Sequence, residues 1–185
     1  MNNIGPKTAM ILAAGLGKRM RPITNKTPKP LLNVGERSLI NYELDRLLDA
    51  GVKRVVINTH HLANQIKDHL QDRNDLELVI SDESKRILET GGGVTKALPH
   101  LGDGPFYLLN GDILWLDGPT AALDRLAANW NKNEMDGLLL LHSTVEAYGY
   151  SGLGDFVIDP IGKLVRRPEA LVSPYLFTGV QILHP

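Results

Sequence analysis

Thr8-Ala9-Met10-Ile11-Leu12-Ala13-Ala14-Gly15-Leu16-Gly17-Lys18-Arg19-Met20-Arg21-Pro22 is the stretch on which the reading of this chain turns. Thr8–Ala14 is apolar enough for a buried strand, and it runs straight into two glycines two residues apart. Such glycines let the backbone turn tightly and bring amide N–H groups against an anion. Lys18, Arg19, Arg21 and, further on, Lys29 supply positive charge for a polyphosphate. Two common phosphate loops fail here. A dinucleotide loop needs a third glycine where Met20 stands, and a Walker loop needs Ser or Thr where Arg19 stands. The pair alone is also an ordinary turn with solvated charges. Pro28-Lys29-Pro30-Leu31 shifts that balance, because prolines on both sides are expected to hold the backbone extended around one lysine aimed at a fixed phosphate.

Outward from this loop, short apolar runs alternate with amphipathic stretches. Ile40, Leu44, Leu47 and Leu48 mark a helix over residues 38–50, closed by Gly51. Val55–Asn58 is a second strand, Leu62, Ile66 and Leu70 a second helix, and Leu76–Ser81 a third strand. A helix opens near Gly91, with Thr90 as its expected cap, before a fourth strand at Pro105–Leu109. Leu123, Leu126, Ala127 and Trp130 stripe a fourth helix ahead of the apolar strand Gly137–His142. This order predicts an α/β fold, a Rossmann-like, mostly parallel sheet with helices on both faces. Asp155–Ile158, Lys163–Arg167 and Phe177–Leu183 follow as strands without helices, an appended antiparallel or mixed portion. Neither a repeat nor a linker divides the chain, so residues 1–185 read as a single domain.

Composition narrows the function. The chain has 185 residues, a net charge of −1 and no cysteine. Without a basic excess a nucleic-acid partner is disfavoured, and without cysteine there is no disulfide framework or thiolate nucleophile. The early apolar run is too short for a signal peptide or a membrane span, so a cytoplasmic protein with no membrane partner is expected. The histidines show no metal-ligand spacing. Polar and glycine-rich clusters fall instead at strand ends: Gly15–Arg21, Asn58–His61 and Asn110-Gly111-Asp112. Ligands in open α/β sheets bind there. Leu88-Glu89-Thr90-Gly91-Gly92-Gly93 spends three glycines on a helix's first turn, a cost that close approach of a flat ligand would explain. Tyr148–Phe156 is a second glycine-rich stretch, a hairpin entry or a piece of a site.

LAAGLGKRMRP (residues 12–22) followed by TPKPL (27–31) resembles the signature of the sugar-1-phosphate nucleotidyltransferases, the nucleotide-sugar pyrophosphorylases. LETGGG (88–93) together with GLGDF (152–156) resembles one subgroup, the N-acetylmuramate α-1-phosphate uridylyltransferases of bacterial cell-wall recycling. The resemblance implies a Rossmann-like domain that joins a sugar 1-phosphate to a nucleoside triphosphate, UTP preferred, and releases pyrophosphate. It implies Ala14, Gly15, Gly17, Lys18 and Arg19 around the triphosphate, Lys29 at the α-phosphate, and Glu89, Gly91 and Gly92 against the base. It further implies Asp112 as ligand of a Mg²⁺ cofactor, with Asn110, Gly149 and Asp155 toward the sugar. Arg19, Lys29 and Asp112 are the expected catalytic residues. Mannose-1-phosphate guanylyltransferase shares the loop and the aspartate, and a nucleotide-binding regulatory module without turnover is the reading from another class. Oligomeric state is left open. In the family a later segment supplies a second metal-binding aspartate, so the sequence is expected to be a form lacking its C-terminal segment.

Overall fold

Side-chain alternation along the first strand decides how the layers stack. In the computed structural model, which describes residues 5–185, the chain runs β1 (Thr8–Leu12), a hairpin of β2 (Asn33–Val34) and β3 (Arg37–Ser38), α1 (Leu39–Asp49), β4 (Arg54–Thr59) and α2 (Ala63–Leu70). It continues through β5 (Glu77–Asp82), α3 (Glu89–Leu101), β6 (Phe106–Asn110), α4 (Ala122–Asn129), β7 (Gly137–Ser143), β8 (Phe156–Ile158), β9 (Leu164–Arg166) and β10 (Tyr175–Leu183). Three single 3-10 turns lie between β1 and β2.

Ala9 and Ile11 of β1 pack in one buried cluster with Val55, Ile57, Tyr107 and Leu109. Met10 packs in another with Val56, Phe106 and Leu108. That is the period-2 pattern of a sheet covered on both faces. The first cluster is completed by Ile40, Leu44 and Leu47 of α1, Ile66 and Leu70 of α2, and Leu123 and Leu126 of α4. The second is closed by Ala97 and Leu101 of α3. Each large side chain buried this way contributes about 1.5–3 kcal/mol of transfer free energy.

Strands β5, β4, β1 and β6 are parallel and adjacent in that order. The sheet then changes character. β10 runs antiparallel beside β6 and carries β7 along its other edge, so the last strand in sequence lies inside the sheet. The sequence pattern placed this segment in an appended portion; its fully buried Val180 and Ile182 join the main core instead. The β8–β9 hairpin extends this sheet from β10 through the Tyr175–Phe156 pair, and β2–β3 forms a separate two-stranded sheet. At Gly179 (φ +84°) β10 passes Asn110 so closely that a Cβ would sit 2.7 Å from Asn110 Nδ2.

Helix α3 also differs from its expected start. It begins at Glu89 with Leu88 in the capping position, so Thr90 lies inside the helix and caps nothing. The Leu88 amide is instead held by the Glu83 carboxylate at 2.9 Å, which turns the chain into the helix two residues early. No helix among the described residues is long and apolar enough to cross a membrane.

Candidate active site

β1 delivers the glycine loop to the carboxyl edge of the sheet, and the loop's shape is set by what presses on it. Gly17 takes φ +58°, and a Cβ there would lie 2.8 Å from Thr24 Cγ2. Thr24 Oγ1 donates to the Gly17 carbonyl at 2.8 Å, and the Met20 amide donates to the same oxygen at 2.9 Å. His61 Nε2, two residues past β4, donates to the Thr24 carbonyl at 2.8 Å and so braces the loop from behind. Gly15 faces open space. Gly111, after β6, lies against the start of the same loop: its amide donates to the Leu12 carbonyl at 2.9 Å, and a Cβ would sit 2.6 Å from that oxygen. Glycine at 111 thus lets the Asp112 segment lie against β1.

Lys29 and Asp112 meet across this opening. Lys29 Nζ donates to Asp112 Oδ2 at 2.5 Å, with both side chains partly exposed to the cleft. The backbone at Lys29 departs from expectation. Pro28 is extended, but Lys29–Leu31 forms a single 3-10 turn, with the Leu31 and Leu32 amides donating to the Pro28 and Lys29 carbonyls. Pro30 fits such a first turn because its missing N–H would have had no partner there.

Beneath Asp112 the segment to Asp117 rests on α1. Arg46 stacks on the Trp115 ring, 4.2 Å from its centroid, and donates to the Trp115 carbonyl. Asp117 accepts from the Ala122 amide at 2.7 Å and opens α4. Glu43 of α1 is fully buried, with neither carboxyl oxygen in a hydrogen bond. Burial pushes its carboxyl well above the usual range. The Ile113 amide opposes from outside hydrogen-bond geometry, the Asp112 charge raises it further, and Arg46 opposes.

The cleft has two lobes, of about 380 Å³ and about 270 Å³. They share Leu12, Gly15, Ile87, Glu89 and Asp112, so one ligand can span both. Gly17, Lys18, Arg19 and Lys29 line the larger lobe. Ala14, Asn110, Asn58 and Glu83 line the smaller. Glu89 borders both and holds φ +59°, a strained conformation for a side chain with a Cβ. The structure therefore gathers Ala14, Gly15, Gly17, Lys18, Arg19, Lys29, Glu89, Asn110 and Asp112 around one opening. Gly91 and Gly92 follow Glu89 on the first turn of α3, exposed at its edge but not lining it.

Gly149 and Asp155 line neither lobe. Gly149 takes φ +70° with open space around it. Asp155 lies next to β8, where its carboxylate accepts from the Phe177 amide at 2.8 Å. Sequence reasoning missed Glu83 and left Asn58 without a role. The available signal was position: an acidic residue just past the expected strand Leu76–Ser81, at the edge where ligands bind.

Asp112 can offer an oxygen to a hard cation, and among the described residues no group of three or more acidic or histidine side chains could hold a metal. Mg²⁺ tolerates this, since it keeps waters and shares itself with substrate phosphates.

A family model described as Nucleotidyl transferase matches residues 8–180. The chain is similar to the N-acetylmuramate alpha-1-phosphate uridylyltransferase of Caulobacter vibrioides, 42% identical over 184 residues, covering 97% of this chain and 76% of that protein. It is similar also to the protein of that name from Neisseria meningitidis serogroup B, 40% identical over 181 residues, covering 96% and 75%. In fold it matches UDP-glucose pyrophosphorylase complexed with UDP-glucose, with a TM-score of 0.74 at 21% identity over 97% of this chain and 76% of that one. At that identity the likeness speaks for the fold alone.

Proposed function

The chain belongs to the nucleotidyl transferase family, and from that premise we propose that its cleft joins N-acetylmuramate α-1-phosphate to UTP, forming UDP-N-acetylmuramate and pyrophosphate. The observation that carries the reading is the meeting of Lys29 and Asp112 at 2.5 Å beside a glycine loop bearing Lys18 and Arg19. That arrangement balances phosphate charge and offers one carboxylate for a cation.

A phosphate oxygen of the sugar 1-phosphate attacks the α-phosphorus in line, a new P–O bond forms, and the bond to the β-phosphate oxygen breaks as pyrophosphate leaves. Amides around Gly15 and Gly17 cradle the triphosphate, and Arg19 and Lys18 take the charge of the leaving end. Lys29 turns from Asp112 to the α-phosphate and neutralises charge as it builds. Asp112 would hold Mg²⁺, which when bound supplies further charge withdrawal from the phosphate oxygens. Glu89, with Gly91 and Gly92 behind it on α3, is assigned to the base side, and Asn110, Gly149 and Asp155 to the sugar side. Catalysis by position and charge needs no covalent intermediate. The relatives' names support the uridylyl and N-acetylmuramate parts of the reading, and we place the reaction in the cytoplasm.

Pyrophosphate release with each of the four nucleoside triphosphates against several sugar 1-phosphates tests it. UTP with N-acetylmuramate 1-phosphate is expected to turn over fastest. Preference for GTP with mannose 1-phosphate would move the assignment to a guanylyltransferase, and binding without release to a regulatory module.

A further inference from the structure

Three strand ends converge beneath the glycine loop, and one chain of hydrogen bonds joins them. The Ala13 amide donates to Asn58 Oδ1 at 2.7 Å. Asn58 Nδ2 donates to Glu83 Oε1 at 2.8 Å, and the Leu88 amide donates to Glu83 Oε2 at 2.9 Å. Asn58 is 3% exposed and Glu83 2%, and Gly93 seals them in: a Cβ there would stand 2.8 Å from Asn58 Nδ2 and 2.9 Å from Glu83 Oε1. One end of the chain is the residue before Ala14-Gly15; the other is the residue before the strained Glu89.

This chain has a parity. Both ends are backbone N–H groups, which only donate, and two forked side chains stand between them. An amide offers one donor and one acceptor, whereas a carboxylate offers two acceptors. With donors at both ends, one amide and one carboxylate satisfy every contact. Two amides always leave one donor facing another, however they are flipped, because curing the mismatch at one link moves it to the next. Two carboxylates leave oxygen facing oxygen, a mismatch that only uptake of a proton by one of them repairs. At 3% and 2% exposure the two side chains have little contact with solvent, so a mismatch between them is poorly compensated by water.

We propose that Asn58 and Glu83 are positioning residues that fix the separation of the phosphate loop and the Glu89 segment, so that nucleotide affinity depends on the polarity of this hydrogen-bonded chain. The inference rests on reading the cleft as a nucleoside triphosphate site. Neither side chain is assigned to the reacting atoms; each acts through the backbone it holds.

The test is a reciprocal exchange, read by calorimetry with UTP and Mg²⁺ on the full chain, by KM and kcat, and by melting temperature. Glu83→Gln should weaken UTP binding by about tenfold or more, with KM for UTP rising more than kcat falls. Asn58→Asp should weaken it similarly at alkaline pH, and less at acid pH, where one of the two carboxyls takes up a proton and donates to the other. Combining the two restores the pattern with roles reversed. The new carboxylate at position 58 accepts from the Ala13 amide and from the new amide at position 83, whose oxygen accepts from Leu88. Affinity in the double variant should return to within roughly threefold of the native value. Should a single variant fail to fold, the double variant decides alone. Native-like binding by a folded Glu83→Gln protein overturns the proposal, as does a double variant no better than either single one or unable to fold. Rescue of melting temperature without rescue of UTP affinity reduces the pair to a structural brace and overturns it too. Absence of UTP binding by the native chain would sink the nucleotide reading itself and be seen before any variant is made.

Discussion

Lys29 and Asp112 serve as each other's counter-charge, and each is therefore free to exchange that partner for a phosphate or a cation. Their side chains are 23% and 35% exposed, so solvent screens the pair and its loss should cost little stability. Lys29→Ala is expected to lower kcat/KM by at least about tenfold while shifting the melting temperature only slightly; steady-state pyrophosphate release and a thermal melt check both. Glu43 behaves differently because it has no water to share its charge. Its folded carboxyl binds a proton more tightly than in the unfolded chain. It therefore favours the fold fully at pH below the unfolded value, and that advantage is lost as pH rises through the raised folded value. Glu43→Gln stays neutral throughout. In metal-free buffer the variant's melting temperature should rise relative to the native protein's by several degrees more at about pH 9 than at about pH 5. Equal differences at both pH values would show that burial does not govern this group. At this scale the sequence was informative where a residue acts in a contiguous motif, as Lys29 and the glycines do. It was silent on Glu83 and Glu43, whose partners come from other strands and helices. Thr90 misled because the Glu83 carboxylate takes the Leu88 amide, a contact across the turn that no local rule contains.

Among the elements, α1 was the most legible. Ile40, Leu44 and Leu47 repeat at helical spacing and are fully buried, just as the apolar stripe requires. The helix also supplies Glu43 and Arg46 to the underside of the Asp112 segment, so its seating and the site's geometry are linked. Leu44→Ala would leave a cavity between α1 and the sheet and is expected to cost about 2–5 kcal/mol in chemical denaturation. A loss below about 1 kcal/mol would mean that α1 can collapse onto the sheet and that the segment it carries is less rigid than drawn. The β2–β3 hairpin and the 3-10 turns left no usable trace, since they are too short for periodicity to register. Lys29 shows the consequence: two flanking prolines were compatible with an extended segment or a tight turn, and the hydrogen bonds to the Pro28 and Lys29 carbonyls chose the turn.

For the whole molecule, alternation of strand and helix was enough to read the parallel half of the sheet: the crossovers from β1 to β4 and from β4 to β5 connect neighbours in space, and the one from β5 returns to β6 on the far side of β1. The order of the remaining strands was beyond such a reading, because local pattern shows that a segment is a strand but not where in the sheet it lies. β10 is the strand that shows this. It fills the slot between β6 and β7, so Leu109 must wait for Val180 before the sheet can close. A ribosome making this chain releases the glycine loop, Lys29 and Asp112 long before it releases the strand that completes their support. Until residues 175–183 emerge, β6 presents a bare edge and β7 has no partner in the sheet, a state exposed to mispairing with other nascent chains. Substrate binding should accordingly be absent from every stalled intermediate shorter than this strand, and a competent cleft should come into being late and all at once.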